Sequence, residues 1–491
     1  MASRPFSVVI DKYLGIRQDV SALVVSAREW ADALNYDERF GWPRIGFSLA
    51  SSPAAELRGY WTYYRPDTTL HEVWVDAAGN IFEDGGLVGS GVTLGTSSPS
   101  AAVGNGTIVV ARGGSSLPWW RDTADGAWKE LSAAPFAFRV VGMMSAGPRL
   151  FGSPGGLGDD SVAWSAPADF TKWGAADTGG VEPIGMDAEA VSVILDGLQD
   201  DLAIYKKNSI WVVRGGNPTT WQIIRASSDI GSISPTGTVR IGRGHAFIHT
   251  SGIYLINSLG QVTWPPLSWK VQPAWDVIRA HSALAKSHIA YDNTDQTLWC
   301  WIPAVSDSDL PFSRALKVHL PTASVSFQSI AAAASGYRQD TTRVKFGRAT
   351  GLYDLIGTTD AGAAITATFT TPIFAGDPYI PVQLHIEKRW GLRDQIFLLV
   401  ESQESSTLTM QVTPIVYTGD GGVSLTVQSV SVAPRAVSRI PITLQPTQVG
   451  WGIQLVCSVA SSAGGCRVLG ILGHVEDITE LGERSPSGVY R

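Results

Sequence analysis

Residues 201–216 read DLAIYKKNSIWVVRGG. Small and apolar residues run as far as Tyr205. Polar residues from Lys206 to Ser209 interrupt them, and Ile210 opens a second apolar arm that carries Trp211. Two strand-forming runs around a tight polar turn predict an antiparallel β-hairpin.

Working outward, the same form recurs. HEVWVDAAGNIFED (71–84) turns at Ala77 to Asn80, HAFIHTSGIYLINS (245–258) at Thr250 to Gly252, and VKFGRATGLYDLIG (344–357) near Ala349 to Gly351. GNGTIVVARGG (104–114), FRVVGMMSAGPRLFGS (138–153) and QTLWCWIPA (296–304) add further arms. Each alternates apolar with small or polar residues, the period of a half-buried strand. Repeated hairpins without helices between them leave a sandwich, a barrel or a propeller. The shared strand–turn–aromatic form predicts an all-β chain with a β-propeller-like domain over residues 55–371, its blade number left open. A jelly roll or stacked sandwiches are the alternatives.

The flanks read differently. Residues 1–54 are expected to be an extended segment with a strand at Phe6 to Ile10 and one short helix. Ser26 and Glu29 form a capping box for that helix, and Ala27, Trp30, Ala31 and Leu34 fall near one face. TPIFAGDPYIPVQ reads as a linker from Pro372 to Pro381. Beyond it, about seven strand-like runs recur every ~8–15 residues, which predicts a C-terminal β-sandwich over 372–480, then a polar tail at 481–491.

Bulk composition sets limits on function. The 491 residues carry a formal net charge of −7, which provides no basic footprint for nucleic acid. Charged residues are 16% of the chain, against about 25% in ordinary soluble domains. Surface covered by partner subunits fits that depletion. Cys300, Cys457 and Cys466 make no disulfide framework. Cys457 and Cys466 flank a plausible hairpin and could face each other, although buried thiols are the plainer reading. The opening MASRPFSVVIDKYLG lacks a signal-peptide core, and no stretch approaches the ~20 apolar residues of a membrane span. Synthesis in a cytoplasm, without membrane insertion, is expected.

Reactive chemistry is hard to find. His245 and His249 share a strand face but stand too far apart to bind one metal, about 13 Å. There is no GxSxG and no phosphate loop. Asp159–Asp160 and Asp200–Asp201 are adjacent acids that point to opposite faces of a strand. PADFTKWG (167–174) only faintly resembles a sialidase Asp-box, and WPRIGF matches the sialidase arginine motif only at Arg44 and Ile45. The expectation is no enzyme, no cofactor and no metal. The 18 tryptophans are expected to be mostly core, Trp211 among them; Trp119, Trp120, Trp264 and Trp269, read as loop residues, are the candidates for contacts between subunits.

The order of segments carries a resemblance. Gly15, Arg17, Ala31 to Asn35, and Arg44 to Gly46 resemble the opening phrases of a group of bacteriophage tail proteins. Arg149, Pro154, Ser161, Trp164, Ser165, Asp169 and Trp173 resemble its next phrase, and the run from Lys207 to Pro235 a third. The chain is thus similar to the tail nozzle, or tail tubular protein B, family of short-tailed phages. That resemblance implies a virion tail protein made in a bacterial cytoplasm. It implies a homohexameric ring around a DNA channel, held by a tail adaptor protein and bearing fibres or a tail needle. Genomic DNA would pass through the lumen without tight binding. LFGSPGGLGDDSVAWSAPADFTKWG (150–174) is then expected to connect two blades, Trp164 anchoring one strand and Trp173 plugging the next blade.

Overall fold

A computed structural model describes residues 4–477 apart from 10–15, 20–28, 37–43, 45, 53–54, 91–93, 95–97, 115, 155–159, 186, 350, 375–387, 391–395, 419–420, 445–448, 451 and 462–464. It forms two compact units. One comprises Leu49–Pro321 with Ile330–Leu355, the other Met1–Ser48 with Thr322–Ser329 and Ile356–Arg491.

The first unit is a β-propeller. Among the described residues, six small antiparallel sheets and one antiparallel run, His288–Asp292 with Thr297–Trp301 and Ala315–His319, which belongs to a ten-stranded sheet, follow one another along the chain. Their first strands are Leu57–Tyr64, Ser100–Gly104, Val140–Met144, Val191–Leu198, Thr238–Ile241, His288–Asp292 and Ala334–Arg338. Each packs beside the next, and the seventh packs back against the first, so the ring closes. Blade 7 takes its fourth strand, Ser48–Ser51, from the N-terminal side of the chain. The predicted hairpins sit inside these blades; residues 201–216 supply Asp201–Lys206 and Ile210–Arg214 of blade 4.

Blade interiors are covered on both faces, so neighbouring residues along a strand serve different cores. In Thr107–Ala111, Ile108 and Val110 pack toward blade 1, whereas Val109 and Ala111 pack toward blade 3. In Arg149–Ser153, Leu150 joins the core shared by blades 2 and 3 and Phe151 the core shared by blades 3 and 4. Close approach of the inner strands depends on glycine at two points. A Cβ on Gly142 would stand 2.3 Å from Ile194 Cγ2, and one on Gly336 2.6 Å from the Tyr60 ring.

Residues 150–174 do not bridge two blades. Their described residues lie within blade 3, where Arg149–Ser153 pairs with Ser161–Trp164. Trp173 packs into the core shared with blade 2, the preceding blade rather than the next, and Trp164 into the core shared with blade 4.

The second unit is a two-sheet sandwich. One sheet comprises Arg4–Val9, Lys388–Trp390, Ile396–Ser402, Val437–Ile442, Val449–Gly450 and Cys466–Asp477. The other contains Asp32–Leu34, Ser324–Gln328, Ile365–Thr370, Leu408–Thr418, Gly421–Ser424, Gln428–Val432 and Gly452–Ser461. Its membership departs from the expected boundaries at both ends. The N-terminal strand pairs with Cys466–Asp477 from Arg4↔Val475 to Val9↔Gly470, so residues 1–48 are part of the sandwich unit. Ile365–Thr370, expected in the propeller, pairs with Gly452–Ser461. The expected linker begins as docked chain, because Phe374 exchanges hydrogen bonds with Ile453; residues 375–381 lie outside the described residues.

The expected helix is also corrected. Its cap at Ser26 lies outside the described residues, but Asp32–Leu34 is a strand paired with Ile365–Thr370. Burial of Trp30 against Phe369, with ring centroids 4.9 Å apart, outweighs a capping propensity worth about 1 kcal/mol. The polar tail lies outside the described residues. All three cysteines are free and buried; burial pushes the Cys466 thiol up to about 12.

Candidate functional site

The inner strands all run the same way around the propeller axis. Gly142 lies beside Ile194, and further along the same pair of strands Ser145 lies beside Asp196. Ser234 Oγ donates to Ser287 O, and two residues on Ile289 N donates to Thr236 O. His288 meets Ser335, and beyond it Thr294 Oγ1 lies 3.3 Å from Tyr337 Oη. The C-terminal ends of the strands therefore gather at one mouth of the channel.

That mouth has two halves. Blades 6, 7 and 1 contribute Tyr291, Tyr337 and the exposed Tyr64. Burial, with help from Asp292 and Tyr337, pushes the Tyr291 phenol up, so it stays protonated. Blades 3, 4 and 5 contribute Ser145, Asp196 and Arg240; Ser145 N donates to Asp196 Oδ2 at 3.2 Å, and Arg240 Nε to Gly242 O at 3.0 Å. The rim presents aromatic rings on one side and opposite charges on the other. Such a surface can hold a partner; the Ser145 hydroxyl also donates to Asp196 Oδ2, the one carboxylate among these rim residues. Among the described residues, no group of three or more His, Cys, Asp or Glu could hold a metal ion.

Charged side chains instead lock blade to blade. Across the ring seam, Glu72 of blade 1 accepts from Tyr60 Oη at 2.7 Å, from Arg338 Nη1 at 2.7 Å and from Lys345 Nζ at 2.9 Å, the last two from blade 7. Burial raises the Glu72 carboxyl, but these donors outweigh it and hold the group below its ordinary range. Glu83 plays the same part between blades 1 and 2, accepting from Tyr63 Oη and from Trp128 Nε1 at 3.0 Å. Lys206 of blade 4 is fully buried and donates to Ile184 O and to Asp187 and Asp160 of the blade 3 side.

Buried histidines make similar contacts. His288 Nε2–H donates to Ala332 O at 3.2 Å, which leaves Nδ1 to accept from Ser335 Oγ at 2.7 Å. Burial lowers this imidazole to about 3. His245 Nε2–H donates to Asp196 O, and Tyr205 Oη donates to Nδ1. Burial lowers His245 and His249 to about 4, so both imidazoles are neutral near pH 7.

The tryptophans separate into core and surface. Trp164 and Trp173 are buried, and Trp211 is half-buried against the core of blades 3 and 4. Trp119 and Trp120 belong to the strand Trp119–Arg121, not to a loop. They are half-buried because they pack on opposite faces, toward blades 1 and 3. Trp269 begins a short 3-10 helix and is half-buried; Trp264 is 77% exposed, stacked on Tyr254 with centroids 6.3 Å apart.

Pattern reading missed Glu72, Lys206, Lys345 and the pairing of Arg44 with Asp360. Lys206 and Lys345 had one signal: a cation at an inward position of an otherwise apolar strand, which demands a buried acid. Glu72, the acid that pairs Lys345 across the seam, and Asp160, which lies 46 residues before Lys206, have no local signature.

No protein family's sequence profile matches the chain, and no curated protein matches it. Solved structures do match in fold. A streptogramin B lyase is 12% identical with a TM-score of 0.39, covering 63% of this chain and 96% of that one. The WD40 repeats of RRP9 are 9% identical, TM-score 0.39, covering 63% and 97%. YCF48 from Cyanidioschyzon merolae is 10% identical, TM-score 0.40, covering 63% and 98%. These values carry no argument about activity. The propeller assignment rests on the chain's own sheets and their closure. No helix among the described residues is long and apolar enough to cross a membrane.

Proposed function

We propose that this β-propeller protein is a non-catalytic structural subunit of the tail nozzle of a short-tailed bacteriophage. The observation that carries the reading is the use made of the residues behind the resemblance. Asn35 and Arg44 bond to each other and to Ser329 inside the sandwich unit. Arg149 donates to Ser165 O at 2.7 Å and Thr178 O at 2.8 Å, Asp169 caps the turn at Thr171, and Trp164 and Trp173 fill two inter-blade cores. The phrases describe architecture.

In this role the subunits form a homohexameric ring in the virion tail. The ring joins a tail adaptor protein on one side and fibres or a needle on the other, and retains the genome before passing it. A lumen that lets a duplex slide must bind phosphate weakly, which a net charge of −7 favours. Light scattering and negative-stain imaging of the purified protein, alone and with tail adaptor complexes, test the proposal. Closed rings are expected. A monomer that never joins an adaptor, or a salt-dependent sub-micromolar affinity for duplex DNA, overturns it.

One observation favours a second reading, a carbohydrate-binding propeller. Trp264 is exposed and already stacked on Tyr254, as a sugar-stacking ring would be. Loss of glycan binding in Trp264→Ala would support that alternative over the nozzle.

A further inference from the structure

The sandwich carries a sheet face without charge. Ile365–Thr370, Gly452–Ser461, Leu408–Thr418 and Gln428–Val432 lie side by side, and none of the four contains Asp, Glu, Lys or Arg. Their inward residues, including Phe369, Cys457, Met410 and Val432, are buried. Of the alternate residues that face outward, those at the end of the face nearest Ser461 are small or polar, and Val456, Ile415 and Tyr417 follow further along. The register aligns Thr368, Ser458, Gln411 and Ser429 across all four strands. It also sets Thr366 opposite Ala460 and Thr409 opposite Ser431.

These groups can still form hydrogen bonds. Ser429 Oγ donates to Gln411 Oε1 at 2.9 Å, which leaves both amide N–H groups of Gln411 free. Among the described residues, the hydroxyls of Thr366, Thr368, Thr409, Ser431 and Ser458 have no protein partner. A groove of about 440 Å³ runs along the same face, lined by Ser406, Thr407, Thr409, Gln411 and Ser458. Its carboxylate, Glu404, is 3% exposed and accepts from Gly465 N.

Size and charge select the occupant. A face that only meets water ordinarily carries about 25–35% charged residues. Four strands about 4.8 Å apart, two outward positions deep, give a patch on the order of 200–300 Å². A stable protein interface needs about 800 Å² per partner, so a second copy of the chain is too large a commitment for this patch. Nucleic acid and charged polymers find no counter-charge here. Free donors and acceptors without charge complement a ligand made of neutral hydroxyls.

We infer that this face binds a neutral polysaccharide chain laid across the four strands. The inference goes beyond the nozzle reading and does not depend on it. Affinity electrophoresis of the full chain tests it, in native gels containing hydroxyethyl cellulose, dextran or mannan, with dextran sulfate as the charged control. At least one neutral polymer should retard the protein, equally at low and high salt. The double substitution Gln411→Ala with Ser458→Ala should weaken retardation about tenfold, the effect of two lost hydrogen bonds. Thr409→Lys, which leaves the buried face untouched, should weaken it as well, and Trp264→Ala should not. The inference is overturned by any of three results. These are no retardation in all three neutral gels, retardation unchanged in both face variants, or loss of retardation in Trp264→Ala alone. A dimer in light scattering that Thr409→Lys dissociates also overturns it, since the occupant would then be a second copy.

Discussion

Arg44 holds Asp360 in a two-pronged pair, Nη1 to Oδ1 and Nη2 to Oδ2, both at 2.8 Å, across 316 residues of sequence. The guanidinium is fully buried, and its Nε donates to Asn35 Oδ1 at 3.1 Å. A planar fork matched to a carboxylate is the geometry that lysine cannot reproduce. Within the sandwich unit it ties the N-terminal segment to the chain that follows the propeller.

Removing one partner of a buried pair strands the other. Arg44→Ala is expected to destabilise the sandwich unit by about 3 kcal/mol. Arg44→Lys should recover only part of that. Urea unfolding followed by circular dichroism reads both values, and an unchanged midpoint for Arg44→Ala would remove the pair from any structural account.

Trp173 fills the core between blades 2 and 3. Its ring lies 5.3 Å from Phe138, and its Nε1 donates to Phe170 O at 2.7 Å. Trp173→Ala should cost about 3–5 kcal/mol, since it leaves both a cavity and an orphaned carbonyl. Thermal unfolding checks this, with Trp264→Ala as the control: its ring is 77% exposed and should shift the midpoint little.

Local pattern carried the hairpins because a strand's period and its turn lie within one stretch of about a dozen residues. Residues 201–216 and 245–258 fold as read. Blade number was not legible, because it depends on which inner strands touch around a closed ring, as Gly142 does Ile194. The two-unit division was hidden for a similar reason. Asp32–Leu34 is strand because Ile365–Thr370 and Ser324–Gln328 lie beside it. Of the candidate sites, core tryptophans such as Trp164 could be read from strand patterning. Glu72 could not, since its role comes from cations on blade 7, 266 and 273 residues later (338 − 72 and 345 − 72).

The Glu72 cluster makes the ring seam sensitive to acid. Its folded-state carboxyl titrates below its unfolded value of about 4.3. The associated stability is therefore complete above that value and is lost as pH falls through the folded one. Glu72→Gln should lower stability at neutral pH by about 1–3 kcal/mol, because Arg338 and Lys345 lose a shared acceptor. It should also flatten the decline below about pH 4.3. Urea midpoints measured from neutral pH into the acid range would show both effects.

The buried histidines act in a higher window. His288 titrates at about 3 in the fold, packed against Trp301 with centroids 5.1 Å apart, whereas an unfolded chain's histidine titrates at about 6.5. Between those values the unfolded state binds a proton that the native state refuses, so stability rises with pH there and levels off above about 6.5. At about pH 5 one such group contributes on the order of 2 kcal/mol of destabilisation. His288→Gln cannot be protonated. It should be less stable than the parent at neutral pH, through the lost stacking on Trp301, yet fall less steeply between about pH 6.5 and 4. Equal slopes for parent and variant would mean that His288 is protonated in the folded protein, and the neutral bridge from Ser335 to Ala332 would have to be abandoned.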